Sequence, residues 1–171
     1  MKRIAVSLVA ALLLAGAGCP SKTPDLLAPQ THVASAKGLT VELALDRHSF
    51  YRGEIAAVKI VVRNDTSGAV TIEADSGALA RVVLSRRTAA GWEPFRRCPD
   101  SALMLARRWT LQPRASRTFP LNIEVAPDWP TGEPLKLAAE VNGRGDVRPE
   151  AVIDVYPTQA AFNRAMGLEQ E

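Results

Sequence analysis

The side chains best suited to act as a base, thiol nucleophile or soft metal ligand near neutral pH, histidine and cysteine, number four in this sequence: His32, His48, Cys19 and Cys98. Nucleophilic catalysis needs a histidine or an equivalent base beside a Ser, Cys or Thr. His32 stands in a stretch rich in Pro, Ser, Thr and Ala, and His48, near Asp46, reads as a solvated loop residue rather than a base. Two histidines and one spare cysteine provide no spaced ligand cluster, so no metal site is expected. No glycine-rich phosphate loop follows a predicted strand. Cys98 follows Arg96 and Arg97, whose charge would favour a thiolate. Without a second cysteine or a histidine near it in sequence, it reads first as a buried, small apolar side chain. The expectation is a chain with no catalytic residue, no cofactor and no small-molecule substrate.

The arginine pairs Arg96-Arg97 and Arg107-Arg108 offer other chemistry, either as contacts to a partner or as trypsin-like bait. Two tripeptides, Asn64-Asp65-Thr66 and Arg144-Gly145-Asp146, match glycosylation and adhesion motifs and are equally ordinary turns.

The start of the chain carries a different signal. Lys2 and Arg3 are followed by an apolar run from Ile4 to Leu14 and by the small residues Ala15 to Gly18, the pattern of an export signal over residues 1–18. The run is too short for a membrane-spanning helix, which needs about 20 apolar residues. Leu14-Ala15-Gly16-Ala17-Gly18-Cys19 resembles the lipobox of bacterial lipoproteins, with Gly16 standing where Leu is usual. That resemblance implies acylation of Cys19, membrane lipid as a partner, and a place in the bacterial cell envelope on its periplasmic or surface face. Each buried methylene of the acyl chains would contribute about 0.8 kcal/mol, enough for stable anchoring when several chains attach. Ala15 and Ala17 also satisfy the A-x-A rule of ordinary cleavage, which would leave Cys19 and Cys98 to pair with each other.

These sites need elements to position them. Of 21 basic residues, Lys2 and Arg3 leave with the signal, so 18 acidic residues bring the remainder to a net charge of +1. Overall basicity therefore predicts no partner, and nucleic acid is not expected, because the few aromatics do not interleave with the arginines. The distribution says more: nine arginines fall between Arg81 and Arg117, whereas four basic and nine acidic residues fall between 118 and 171.

Residues 19–38, without a helical or strand period, read as a lipidated terminus and flexible tether, reaching about 25 Å on average. From Leu39 the period is two: Leu39, Val41, Leu43 and Leu45 form one strand, and Ala56, Val58, Ile60 and Val62 another, with Asp46–Glu54 as a polar loop between them. Asn64–Gly68 is a turn, and Val70 and Ile72 then predict a return hairpin. Arg81–Arg87 and Trp92–Phe95 form a second hairpin about Thr88–Gly91, and 96–108 is a crossover. Phe119, Leu121, Ile123 and Val125 alternate around Pro120, which cannot donate to a ladder and so predicts an edge strand. Leu135–Val141, an Asn142-Gly143 turn and Ala151–Tyr156 close the sheet, and Thr158 caps a brief helix through Phe162 and Met166 to Gly167. About seven to nine short strands with regular turn signals predict an all-β chain, a single antiparallel sandwich over residues 39–157, with a short helix or tail over 158–171.

Arg52-Gly53-Glu54, Val62-Arg63-Asn64-Asp65-Thr66, Gly91-Trp92, Leu111-Gln112-Pro113 and Pro130-Thr131-Gly132-Glu133-Pro134-Leu135 stand as turn motifs along the strands. On these motifs residues 39–156 resemble the bacterial immunoglobulin-like domains that include the intracellular proteinase inhibitor family, with Arg114 where Gly is usual. The resemblance implies an immunoglobulin-like sandwich. Together these readings predict a membrane-anchored, non-enzymatic module that binds another envelope protein through a sheet edge or loop, with Arg96, Arg97, Arg107 and Arg108 as contact candidates. The alternatives are a proteinase inhibitor using an Arg-containing loop, and a structural subunit of an envelope or secretion complex.

Overall fold

A computed structural model describes residues 27–74, 78–99 and 107–168 of the chain. They form an all-β sandwich. One sheet has the order β1 (Gln30–Ala36), β2 (Leu39–Leu45), β4 (Ile55–Asn64), β9 (Ser116–Glu124). The other runs β3 (Ser49–Tyr51), β11 (Glu150–Tyr156), β10 (Leu135–Val141), β6 (Ala80–Thr88), β7 (Gly91–Cys98). A two-stranded ribbon joins β5 (Val70–Ala74) to β8 (Arg107–Leu111). Neighbours pair antiparallel except β3 with β11. Alternation explains the layers: Leu39, Val41, Leu43 and Leu45 face inward with Ala56, Val58, Ile60 and Val62, and meet Val82, Leu84, Leu135, Leu137, Ile153 and Val155 from the facing sheet.

The tether predicted over 19–38 does not extend through Gln30–Ala36, which forms β1. This strand pairs along its whole length with β2, from Gln30 opposite Leu45 to Ala36 opposite Leu39. Its alternation is muted because Ala34 and Ala36 supply the inward side, and alanine carries little pattern signal. The connecting turn places Lys37 at φ 48° and Gly38 at φ 74°, the two positive angles of a tight hairpin. A Cβ on Gly38 would fall on the Thr66 methyl, so a side chain here would displace Thr66 and strain a backbone already at positive φ.

Three connections differ from expectation. Asp46–Glu54 is not a plain polar loop, since it contains β3 with Phe50 fully buried. The return hairpin from β4 to β5 does not form. Asn64 is fully buried, and its side-chain amide donates to the carbonyls of Leu111 and Gln112, tying the turn to the end of β8, so β5 pairs there instead. The link from β10 to β11 is longer than a two-residue hairpin, because Ala138 opposes Glu150 and Val147 inserts into the core. Gly143 matters there for close approach: a Cβ would lie 2.5 Å from the Glu73 carbonyl oxygen.

The helix α1 (Gln159–Ala165) starts as predicted, with the Thr158 hydroxyl accepting from the Ala161 N–H at 3.1 Å. Phe162 buries itself between Tyr51 and Tyr156, with ring centroids 5.6 and 5.8 Å away, under the Arg47 guanidinium. Arg47 in turn pairs with Glu54, whose pKa burial pushes up against the opposing pull of the Tyr51 N–H and Arg47.

Asp65 carries the opposite shift. The Thr40 hydroxyl and then the Arg63 guanidinium hold its carboxyl below the usual range. Its folded pKa lies below the unfolded one, so its contribution is present above the unfolded value and lost as pH falls through the folded one. The thermal midpoint of the wild-type chain should therefore drop on acidification through the carboxylate range, and the drop should be smaller in Asp65→Asn. Parallel melting curves would show the opposite.

Candidate functional site

β7 ends one sheet and β9 ends the other, and the two edges lie on the same side of the sandwich. Between them is a cleft of about 260 Å³ whose walls include Arg96, Cys98, Ile123 and Trp129, with Asn122 and Glu124 at its rim on the outer face of β9. Edge strands leave a row of backbone donors and acceptors without ladder partners. This seam is therefore where the sandwich can extend its pairing to another chain.

The β6–β7 register decides which side chains face the seam. Ser85 opposes Pro94 and Leu84 opposes Arg96, so Phe95 is the extra residue of a bulge. Arg96 and Cys98 oppose the core-facing Leu84 and Val82 and turn toward the cleft, whereas Arg97 opposes Val83 and turns to the outer surface. Arg96 Nη2 lies 2.8 Å from Asp128 Oδ2. Cys98 is half-buried and packs against the core, so it is more accessible than a core cysteine.

The floor of the cleft is Trp129, 1% exposed, with the Phe95 ring edge-on at 6.3 Å. Its segment is held by Arg52-Gly53-Glu54. Arg52 donates to the Trp129 carbonyl, Gly53 N–H to the Val125 carbonyl at 2.8 Å, and Val125 N–H to the Glu54 carbonyl at 2.9 Å. One of the turn motifs read in the sequence thus positions the tryptophan seventy-odd residues away.

The four arginines singled out in the sequence do not form one site. Arg108 pairs with Glu73 at 3.2 Å on the exposed β5–β8 ribbon, where Arg107 opposes Ala74. All four lie in hydrogen-bonded strands, so neither pair stands on a protruding bait loop. Nothing in the sequence marked Trp129 and Phe95 as the floor of this cleft, apart from a tryptophan inside an otherwise polar turn, Pro127–Glu133.

Other candidates resolve into structure. His48 is 9% exposed, not solvated, with Nδ1 2.7 Å from Gln30 Nε2, and His32 Nε2 lies 3.2 Å from Gln30 Oε1. Asn64 donates its amide internally and cannot accept a glycan in the folded chain. Arg144 and Asp146 bind each other at 3.1 Å, Asp146 also meets Lys37, and Arg144 donates to the Ala36 carbonyl, so the adhesion-like tripeptide braces the β1 hairpin. Among the described residues no three or more His, Cys, Asp or Glu side chains gather as a metal site, and no helix is long and apolar enough to cross a membrane. Cys19 and the predicted export signal lie outside the described residues.

No family model matches the chain. No curated protein matches it either. Among solved structures, the sporulation control protein Spo0M of Bacillus subtilis is similar with a TM-score of 0.48 and 14% identity, over 75% of this chain and 53% of that one. A β-glucosidase from Listeria innocua in complex with gluconolactone is similar at TM-score 0.41 and 14% identity, over 75% of this chain and 16% of that one. A cycloisomaltooligosaccharide glucanotransferase from Paenibacillus sp. is similar at TM-score 0.44 and 11% identity, over 74% of this chain and 14% of that one. The chain thus spans about half the length of the first and under a fifth of the other two.

Proposed function

We propose that this chain is a lipid-anchored protein of the bacterial cell envelope whose sandwich serves as a non-enzymatic binding module for another envelope protein. The observation that carries the binding part is the seam: two edge strands on one side, with a cleft between them floored by a buried tryptophan. An extended segment of a partner can add to such an edge by main-chain hydrogen bonds and place a side chain in the cleft. Pro120 on β9 and Pro94 on β7 interrupt the two edges, which guards them against unspecific pairing with further copies. The anchoring part rests on the residues around Cys19 alone. The strand positions of Arg96, Arg97, Arg107 and Arg108 favour this reading over an inhibitor that would present them on a protruding loop.

Two measurements test the parts separately. Intact mass of the native product should show a chain beginning at an acylated Cys19, and an unlipidated terminus would remove the anchor. A photo-crosslinking residue at Asn122 should give a discrete adduct in intact cells, while one at Thr71 on the ribbon should not. Equal adducts from both positions would take the binding site away from the seam.

A further inference from the structure

The outer face of the β6–β7 hairpin carries a second surface. Arg87 opposes Trp92 across the hairpin and its guanidinium stands 5.6 Å from the indole centroid. Lys136 of β10, opposite Ser85, places its Nζ 5.5 Å from the same ring. Arg97 joins this face opposite Val83. Arg87 and Arg97 are exposed, and no carboxylate among the described residues pairs with either. Beneath these long side chains Val83, Ser85 and Ala138 are fully covered, so the face is a continuous layer of basic groups around one indole.

The rest of that sheet's outer surface adds Arg81 and Arg148, which share Glu140, and Glu150, which meets Lys136 and Arg148. Asp154 follows further along β11. At strand positions four basic side chains thus face three acidic ones, and Arg148, just before β11, adds a fifth cation. The outer strand positions of the opposite sheet hold two of each: Lys59 and Arg63, Glu42 and Glu124. The basic excess therefore lies on one side of the sandwich, strongest at the hairpin. A tryptophan among arginines and lysine is the side-chain mixture that suits a headgroup layer, where the ring is half solvated and the cations meet anionic lipid.

We infer that the outer face of the β6–β7 hairpin, through Arg87, Trp92, Arg97 and Lys136, docks on anionic phospholipid headgroups. The inference rests on the proposal that the chain is held at a membrane. Ten residues separate Cys19 from the first residue of β1, and ten residues span at most about 36 Å. An anchored domain so close to the bilayer meets it constantly, and the basic face determines how it lies. With that face down, the seam between β7 and β9 stands at the side, open to a partner. An acidic protein would meet the same cations, but the short connection favours the surface that is always within reach.

The test is co-sedimentation of the chain from residue 19 onward, carrying Cys19→Ser, with phosphatidylcholine vesicles, with and without phosphatidylglycerol. Since this chain bears no acyl group, the outcome is independent of the mass measurement that decides lipidation. Binding should be stronger on anionic vesicles. Each basic residue at such a surface is worth about fivefold in affinity, so Arg87→Glu with Arg97→Glu should lower anionic binding by at least about twentyfold. Lys59→Glu on the other face should change it by less than about threefold. Circular dichroism and melting of the double variant should match the parent, as expected for exposed positions. Equal binding to both vesicle types, an anionic preference kept by the double variant, or an equal fall for Lys59→Glu would overturn the inference.

Discussion

Asn64→Ala is expected to destabilise the sandwich by about 3 kcal/mol or more, which for a domain of this size is on the order of 10 °C in melting temperature. The side chain is fully buried and its functions are all internal. Its amide nitrogen lies 2.7 Å from the Gly68 carbonyl, 3.2 Å from that of Leu111 and 3.1 Å from that of Gln112. Its oxygen accepts from the Thr66 N–H at 2.9 Å and from the Thr66 hydroxyl at 2.7 Å. Removing it takes this donor from the buried Leu111 carbonyl and the acceptor from the Thr66 N–H, while the Gln112 and Gly68 carbonyls keep the Ala115 N–H and the Thr66 hydroxyl. Each unsatisfied group costs about 1–3 kcal/mol. Asn64→Asp should be as damaging, since a carboxylate cannot donate and would be buried charged. Thr66→Val removes one hydroxyl from the same network and should cost only about 1 kcal/mol. Denaturant titrations measure all three. An Asn64→Ala midpoint near that of Thr66→Val would mean that the β5–β8 ribbon is not held by this residue.

Trp129→Ala should cost about 3–5 kcal/mol, the range for deleting a large buried aromatic. The indole is 1% exposed, meets the Phe95 ring, and forms the floor of the seam, so its loss joins the cleft to the core. Unfolding by denaturant should show a lower midpoint at an unchanged slope, because the unfolded chain exposes nearly the same surface. Trp129→Phe should recover much of the stability while leaving a smaller floor. If the seam binds the partner, the Asn122 adduct should weaken in Trp129→Phe even where the domain stays folded. A cost below about 1 kcal/mol for Trp129→Ala would show that the cleft floor is not part of the core.

Strands with a clean period of two were readable: β2, β4, β6, β10 and β11 lie where alternating Leu, Val and Ile place them. The edge position of β9 was also readable, because a missing N–H at Pro120 is a local fact with one structural meaning. Three strands were not, and one is β8, which begins inside the stretch 96–108 that reads as a crossover. β1 has alanines on its inward side, and β3 hides Phe50 among Asp46, Arg47, His48 and Arg52. In both cases burial comes from neighbours across the sheet or sandwich, and nothing in the local letters signals it.

The site was less legible than the fold. Arg96 and Arg97 look like one pair in sequence, yet successive residues of a strand point to opposite faces, and the bulge at Phe95 determines which goes where. Arg107 and Arg108 look like a second copy of that pair and belong to another sheet. Trp129 lies in a turn, but Arg52-Gly53-Glu54 draws it inward.

By itself, the sequence determined the class, the all-β sandwich with its capped terminal helix, because alternation, turn chemistry and capping are properties of a few adjacent residues. Only the tertiary structure decided which strands are neighbours, which edges remain open, and on which face each arginine stands. Those depend on register and on long-range hydrogen bonds such as those of Asn64 and Arg52, whose partners lie 47 or more residues away along the chain. A local pattern does not encode distances of that kind.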